Sequence, residues 1–330
     1  MNNVISQFNY QNRTNLNEDI PLKTPLVVYV EPSSKCNLEC KFCPQHTNFN
    51  EFPKSLMSIE SFEKLVNDIK IFENKPELMR FCGIGEPLFN KNFGRFIQIL
   101  NESNVVKKSE LITNGLLLNS DLIKIIASNL DRIVISIEGL SDKDYFDFTF
   151  RKIDFNKLKD KIEELFNIKY RKCVVHIKIH NHAVMSNQLK EKFFSTFGPI
   201  SDEIYVEKLV DLWPEIQTNL GIDSGHRFHN TEVKQTKVCP QIFKAMQINA
   251  DGRVLPCCAD WKNMNIIGDI KNNNLHEIWN GVPVNNLRKL HLKGERFSFS
   301  PCKGCKLNEY SDIDNIDEQA ELIYNKLFDE

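Results

Sequence analysis

Short apolar runs alternate with stretches of helical periodicity between residues 24 and 210, and this alternation limits the folds open to the chain. The runs are rich in valine and isoleucine, as buried parallel strands are, and strands separated by helices predict an α/β domain. Six such strands fit either an open barrel or a doubly wound sheet. The predicted strands are 26–31, 78–83, 109–113, 132–138, 173–180 and 203–207, and the predicted helices are 59–72 (behind the N-cap Ser58), 93–101, 121–129, 157–167 and 188–197.

The alternation stops near Asp211, which indicates a second module. Residues 220–237 are polar and contain glycine, as linkers do. Residues 245–257 predict a hairpin, because Asp251-Gly252 is a favoured turn pair. Such a small module needs a metal to hold it together. The predicted organisation is a polar leader (1–23), an α/β domain (24–220), a small metal-held module (230–310) and a C-terminal helix or tail (311–330).

Composition restricts the partners and the compartment of the protein. The net charge of −2 gives no reason to expect nucleic acid or an anionic membrane surface as a partner. The N-terminus lacks the apolar core of a signal peptide, and no stretch approaches the ~20 apolar residues of a membrane span. We therefore expect a cytoplasmic protein, in which the ten cysteines serve metal or redox sites rather than disulfides.

The stretch KCNLECKFC places Cys36, Cys40 and Cys43 within nine positions. Thiolates this close together suit zinc or an iron–sulfur cluster. A structural zinc requires a closed shell of four ligands, and His46 is available as the fourth. Alternatively, three thiolates hold three corners of a 4Fe–4S cube and leave one iron open to a ligand that is also a substrate.

The strand VVYVE followed by PSSKCNLECKFCP resembles the radical S-adenosylmethionine (SAM) enzymes, whose signature is C-x3-C-x-aromatic-C, with Phe42 as the aromatic residue. The resemblance implies that Cys36, Cys40 and Cys43 hold a 4Fe–4S cluster whose open iron is chelated by SAM. Reductive cleavage of SAM there gives a 5′-deoxyadenosyl radical. The resemblance to this family extends over residues 24–310. It implies an α/β fold, a partial (β/α)6 TIM-like barrel followed by a small SPASM/twitch module.

Three further segments match the family at the ends of predicted strands, where such folds place their active sites. CGIGEPLFN resembles the family's G-x-G-E-P loop, which contacts the methionine amino group, although such a sequence by itself is most often a turn. LITNG and ISIEG lie where the family contacts ribose and methionine, although polar caps of the strands would explain them equally well. The implied cofactor-binding residues are Phe42, Gly83, Gly85, Glu86, Pro87, Thr113, Asn114, Ser136 and Glu138.

The second module resembles the SPASM/twitch extension of radical enzymes, which carries auxiliary 4Fe–4S clusters. A full SPASM module has about seven cysteines, whereas this one has five, which favours one auxiliary cluster and two clusters in total. A zinc site with four cysteines is the alternative. The implied auxiliary ligands are Cys239, Cys257, Cys302 and Cys305.

Three other cysteines are candidates for a catalytic role. Cys257 and Cys258 are adjacent, so their side chains face opposite sides of a strand and do not both bind one cluster. Cys258, Cys82 and Cys173 are therefore candidate hydrogen-atom donors, and the alternative for each is simple packing in the core.

Three fates of a substrate radical stay open: oxidation of a hydroxyl with the auxiliary cluster as electron acceptor, epimerisation with a thiol donor, or modification of a ribosomal peptide. The cysteine spacing resembles that of aminocyclitol dehydrogenases, which favours oxidation of a small polyhydroxylated substrate (a sugar, cyclitol or nucleotide sugar). An external one-electron reductant such as flavodoxin or ferredoxin is implied. A non-enzymatic electron-transfer module is disfavoured, because it would leave the glycine-rich loop and the open three-cysteine site without a purpose.

Overall fold

A computed structural model describes residues 4–5, 14–47, 53–210, 212, 216, 220–222, 226, 235–307, 309–310 and 314–328. Its centre is a single sheet of nine strands in the order β6-β5-β4-β3-β2-β1-β7-β8-β9. Strands β1 to β7 run parallel, and β8 and β9 are antiparallel to their neighbours. The strands are β1 (Val27–Val30), β2 (Leu78–Phe81), β3 (Lys108–Thr113), β4 (Arg132–Ile137), β5 (Val174–His180), β6 (Glu203–Glu207), β7 (Ala245–Ile248), β8 (Arg253–Leu255) and β9 (Gly268–Asp269).

Helices cover the outer face of the sheet, where alternate strand residues such as Val30, Phe81 and Ile135 are fully buried in the main core. The predicted open α/β barrel is thereby confirmed: the six parallel strands are in chain order and the sheet does not close. The helices are α1 (Leu16–Asp19), α2 (Pro44–Thr47), α3 (Ile59–Ile69), α4 (Phe93–Ser103), α5 (Ser120–Asn129), α6 (Asp142–Thr149), α7 (Phe155–Phe166), α8 (Asn187–Phe197), α9 (Gln241–Lys244), α10 (Leu275–Asn280), α11 (Val282–Leu292) and α12 (Ala320–Phe328).

Side-chain caps begin most of the long helices. Ser58 accepts a hydrogen bond from the backbone of Ser61, as predicted, and Asn119, Asp154 and Ser186 cap three further helices in the same way. The sequence prediction missed α6, because DKDYFDFT lacks an apolar stripe. Ser141 caps it, and only Tyr145 and Thr149 of its residues are buried.

The second module is joined to the barrel through the sheet itself. Strand β7 pairs in parallel with β1, in register from Val27 opposite Ala245 to Val30 opposite Ile248. The predicted hairpin turn at Asp251-Gly252 joins β7 to β8, and Gly252 has a φ of +96° that favours glycine. The auxiliary hairpin therefore extends the barrel sheet directly.

A second hydrophobic cluster ties the chain ends to the small module. Leu16 and Ile20, within the predicted polar leader, pack there with Phe243, Leu292 and Ile323. The predicted linker 220–237 and several residues of the leader and tail lie outside the described residues. Within the described part, no helix has the length and apolar character needed to cross a membrane.

Candidate functional site

The three-cysteine loop follows the carboxyl end of β1 and is fixed by backbone hydrogen bonds to the end of α6. The N–H of Glu39 donates to the carbonyl of Thr149 at 3.1 Å, and the N–H of Lys41 donates to that of Phe148 at 3.1 Å. Buried Gln45 donates through Nε2 to the carbonyl of Ser34 at 2.7 Å. These bonds give the loop a defined shape from its own protein contacts.

The thiols of this loop are only partly covered. The Leu38 N–H lies 3.5 Å from Cys36 Sγ, and the Cys43 N–H donates to the Cys40 carbonyl at 2.9 Å. Burial raises the pKa of the Cys36 thiol to about 12 and that of Cys40 well above its usual value. Thiolates here therefore require a bound cation, as an iron–sulfur cluster provides. The side chain of His46, the alternative zinc ligand, lies outside the described residues.

The glycine-rich loop after β2 packs directly on the cysteine loop. The Glu86 N–H donates to the Lys35 carbonyl at 2.9 Å. A Cβ added at Gly85 would lie 2.1 Å from the carbonyl oxygen of Ser33, and one at Gly83 would lie 2.5 Å from Cγ of Glu31. Both glycines are thus required by the approach of neighbouring protein atoms, which is a reason that the family resemblance did not supply.

Glu86 holds together the loops that follow β2 and β3. Its carboxylate accepts hydrogen bonds from the Thr113 hydroxyl at 2.6 Å, the Asn114 N–H at 2.8 Å and the Leu88 N–H at 3.0 Å. Burial raises the pKa of Glu86, and these hydrogen bonds oppose the rise. Pro87 begins the short turn Pro87–Phe89 that follows. The described contacts of Glu86 and Thr113 are with each other and with the loops, so these side chains shape the site.

Glu31 links the two halves of the site. One of its carboxylate oxygens accepts from the Ile84 N–H at 3.1 Å, and the other accepts from the Ala250 N–H at 3.3 Å. Ile84 belongs to the glycine-rich loop and Ala250 to the auxiliary hairpin. A single buried carboxylate therefore contacts both, at the point where the cysteine loop begins.

Aromatic rings and a buried acid lie beside the cysteine loop. The ring of His180, at the end of β5, stacks on Phe148 with centroids 4.1 Å apart, and Phe42 lies 5.7 Å from Phe148. Nε2 of His180 is 3.6 Å from Oε2 of Glu138. Burial raises the pKa of Glu138 to about 7 and lowers that of His180 to about 4. Ser136 precedes Glu138 on the same face of β4 and is half-buried.

Charged side chains line the inner face of the barrel strands, which the sequence prediction missed. Arg80 pairs with Glu110, and Arg132 pairs with Glu203. The sequence does carry this information, because these residues occupy alternate positions of otherwise apolar strands. Nearer the carboxyl ends, Nζ of Lys178 lies 2.8 Å from a carboxylate oxygen of Glu207.

The four cysteines predicted to hold the auxiliary cluster converge, although they come from three distant segments. Cys239, Cys257, Cys302 and Cys305 all line one cavity, together with the apolar side chains Ile242, Leu287 and Leu307. Burial raises the pKa of both Cys302 and Cys305 to about 12. Among the described residues no three potential ligands are arranged around a single ion. Four thiols around one cavity fit an iron–sulfur cluster, whose ligands bind different irons.

The candidate hydrogen donors occupy different places. Cys257 and Cys258 lie beyond the end of β8 at Leu255, and a hydrogen bond joins their thiols, so the prediction that they face opposite sides of a strand is wrong. This hydrogen bond lowers the pKa of Cys258, which also lies near Tyr29 and Arg80. Cys82 follows β2, and burial raises the pKa of its thiol. Cys173 is buried at the amino end of β5, the opposite end of that strand from His180.

Two family models match the chain. The model of the radical SAM superfamily matches residues 30–182, and that of the SPASM iron–sulfur cluster-binding domain matches residues 239–306. The chain carries a radical SAM domain followed by a SPASM domain. The radical SAM domain implies SAM and a 4Fe–4S cluster, and the SPASM domain implies auxiliary iron–sulfur chemistry.

Solved radical SAM structures share the fold at low sequence identity. BtrN in complex with AdoMet (SAM) and 2-DOIA is 19% identical with a TM-score of 0.56, covering 87% of this chain and 95% of that chain. SuiB of Streptococcus suis, bound to the precursor peptide SuiA, is 17% identical with a TM-score of 0.63, covering 89% and 72%. The protein anSMEcpe with bound AdoMet is 18% identical with a TM-score of 0.58, covering 92% and 93%. These likenesses concern the fold.

Curated relatives include GTP 3′,8-cyclases. That of Aquifex aeolicus is 34% identical over 124 residues, 37% of each chain. One from Clostridium botulinum is 23% identical over 274 residues, 74% of this chain and 84% of the relative. The matches to the cyclases of Aquifex aeolicus and Staphylococcus haemolyticus span less than half of those proteins.

Proposed function

We propose that this radical SAM enzyme oxidises a hydroxyl of a small polyhydroxylated substrate to a carbonyl. When bound, SAM and its cluster would supply the radical chemistry that removes one hydrogen atom from the substrate, and a cluster held by the auxiliary cysteines would be the acceptor of the second electron. The observation that carries the proposal is the cavity lined by Cys239, Cys257, Cys302 and Cys305, a complete ligand set for one auxiliary cluster. An enzyme that removes an electron from its substrate needs such an acceptor.

The residues of the first site have separate tasks in this proposal. Cys36, Cys40 and Cys43 hold the SAM-binding cluster. The loop of Gly83, Gly85 and Pro87 lies against the cysteine loop, where the family resemblance places the methionine moiety. The family resemblance gives Phe42, Asn114 and Ser136 contacts with the cofactor, and Glu86 with Thr113 keeps the two loops in place.

Oxidation also releases the hydroxyl proton, which needs an acceptor. Glu138 is buried at the carboxyl end of β4, and its raised pKa of about 7 suits a carboxylate that takes up a proton near neutrality. Its neighbour His180 has a pKa lowered to about 4 and is neutral at that pH. We assign Glu138 this role in addition to the cofactor contact that the family resemblance implies.

The charge pattern of the barrel supports a neutral or amino-bearing substrate over a triphosphate. Arg80, Arg132 and Lys178 all point to the inner face, and each is already paired with a carboxylate. A triphosphate needs cations that are not neutralised by the protein itself. A polyol needs hydrogen-bonding groups, and Glu207 and Lys178 offer these near the carboxyl ends of the strands.

Anaerobic turnover in deuterium oxide tests the proposal. Reduced enzyme with SAM is incubated with cyclitols, aminocyclitols and sugars, with GTP as the comparison substrate. The proposal expects one 5′-deoxyadenosine per product, and a product that is two hydrogens lighter than the substrate and carries no deuterium on carbon. Turnover of GTP alone would contradict it.

Epimerisation is the second candidate, because the Cys258 thiol lies near Tyr29 and Arg80. A thiol donor exchanges its hydrogen with solvent, so an epimerase would place deuterium at one carbon of the product. That label would disappear in Cys258→Ala. If the enzyme is a dehydrogenase, the same variant keeps its turnover and loses about 1 kcal/mol of stability from the smaller side chain.

A further inference from the structure

Arg296 places a positive charge at the wall of the auxiliary cavity. The side chain is 1% exposed and lines the cavity with the four cysteines. Its Nη1 donates to the carbonyl of Cys305 at 3.1 Å, and its Nη2 donates to the carbonyl of Thr236 at 2.8 Å. These bonds fix the guanidinium beside the segment that supplies two of the four cysteines.

Glu309 is the counter-charge of Arg296. Its Oε1 accepts from Nη2 of Arg296 at 3.2 Å, and the Glu309 side chain is 10% exposed. Glu309 does not itself line the cavity, whereas Arg296 does. The positive member of the pair is therefore the one that meets the cysteines.

The other polar groups at the cavity do not replace this charge. His291 lines the cavity and accepts from the Cys239 N–H at 3.2 Å through Nδ1, and a ring whose Nδ1 accepts a hydrogen bond is neutral. The Asp260 carboxylate accepts from the N–H groups of Met264 and Asn265, at 3.0 Å and 2.7 Å. Among the described residues of the cavity wall, Arg296 supplies positive charge and Asp260 opposes it.

A fixed charge next to a redox centre changes its reduction potential. A cluster that gains an electron becomes more negative, and a cation in a poorly screened interior stabilises that reduced form. The carboxylate behind the cation weakens the effect. Hydrogen bonds and charges around the ligands are among the main means by which proteins adjust such potentials.

We propose that Arg296 and Glu309 set the reduction potential of the auxiliary cluster, Arg296 raising it and Glu309 lowering it. This inference rests on the proposed function, in which Cys239, Cys257, Cys302 and Cys305 hold a cluster that accepts an electron. Arg296 acts on the acceptor and does not touch the substrate. Its effect is to make the transfer of the second electron more favourable.

Potentiometric titration of the cluster-loaded enzyme, followed by electron paramagnetic resonance, tests the inference in three variants. Arg296→Gln shifts the auxiliary potential to more negative values, and Glu309→Gln shifts it to more positive values. In Arg296→Lys, which keeps the charge, the auxiliary potential lies closer to that of the unchanged protein than it does in Arg296→Gln. The potential of the SAM-binding cluster in the same sample stays constant and serves as an internal reference.

Arg288→Gln is the matched control. Arg288 is also a buried arginine of the small module and donates to the carbonyls of Ile242 at 3.1 Å and Trp279 at 3.0 Å, but it does not line the cavity. Its replacement removes the same charge from the same module. The inference expects no shift of the auxiliary potential in this variant beyond a small fraction of that in Arg296→Gln.

Opposite signs for Arg296→Gln and Glu309→Gln support the inference, since a general loosening of the module would move both potentials in one direction. Unchanged potentials, or shifts of the same sign, overturn it. If Arg296→Gln does not retain the cluster, Glu309→Gln and Arg296→Lys decide: no positive shift in Glu309→Gln overturns the inference. Absence of the auxiliary cluster from the unchanged protein would instead refute the proposed function.

Discussion

The two cysteine sites are built in opposite ways. Cys36, Cys40 and Cys43 lie within one short loop, whereas the auxiliary cysteines run from Cys239 to Cys305. The first site draws only its supports from elsewhere, such as the carbonyls of residues 148 and 149. The second has no local shape of its own, and exists only when three segments fold around one cavity. The ligands of the first site therefore come from one segment of the chain, whereas those of the second come from three.

Replacing Cys36, Cys40 and Cys43 together by alanine has the largest expected effect. The variant loses about four irons of an expected total of about eight, since each cube holds four, and it loses all cleavage of SAM. Iron analysis and measurement of 5′-deoxyadenosine check both results. Because the ligands of this site come from one loop, the auxiliary irons and the unfolding temperature of the protein stay close to their original values. Continued SAM cleavage would show that the cluster is held elsewhere.

Cys257→Ala tests the dispersed site. We expect loss of about four irons and loss of product, while SAM cleavage without turnover continues. Since the cluster connects three segments of the small module, its loss also lowers the unfolding temperature of the protein, more than the triple variant does. Differential scanning calorimetry and product analysis measure these effects. Zinc in place of the missing irons in the unchanged protein would favour the four-cysteine zinc site.

Gly85→Ala addresses how closely the two loops of the first site fit. A methyl group at this position meets the Ser33 carbonyl at 2.1 Å, so the cysteine loop has to move. We expect at least tenfold weaker SAM binding and a changed spectrum of the first cluster, with the auxiliary spectrum unaffected. Gly94→Ala is the matched control, because the nearest atom to its added Cβ is a side-chain carbon of Ile125 at 3.2 Å. Equal SAM affinity in both variants would refute the steric argument.

His180→Phe has the smallest expected effect and concerns acid stability. The pKa of His180 falls from 6.5 to about 4 on folding, through burial. The unfolded chain therefore binds more protons between these values, and stability is lost as the pH falls from about 6.5 towards 4, by at most about 3 kcal/mol. His182 and Lys178 lower this pKa further, and the Glu138 backbone opposes them.

Phenylalanine keeps the ring stack on Phe148 without the titration. We expect the variant to lose less stability than the unchanged protein when the pH falls from 7.5 to 5.0, as thermal unfolding of the cluster-loaded protein measures. Glu138→Gln gives a contrast of opposite sign, because the raised pKa of Glu138 favours the folded state as the pH falls. Identical acid losses in His180→Phe and the unchanged protein would contradict the assignment.

The contrast between the sites also explains what could be predicted from the sequence. The six strands and the N-cap Ser58 follow from local patterns, and the fold class was confirmed. The pairing of β7 with β1 joins residues more than 200 positions apart, and the sequence of neither strand indicates which strand it pairs with. The same limit applies to Glu31. Its role depends on accepting a hydrogen bond from the Ala250 N–H, which is far away in the sequence.

Strand β1 lies between β2 and β7, and this position affects how the chain can be divided. Expression of the barrel alone, ending in the segment 220–237, would strip one side of Val27–Val30 of its hydrogen-bonding neighbour. The Glu31 N–H would lose the Ile248 carbonyl at 2.9 Å, and Leu26 would lose that of Lys244 at 2.8 Å. An apolar strand exposed in this way is a template for pairing with other chains, so the truncated barrel would aggregate. The auxiliary module thus also serves as the edge protection of the catalytic domain.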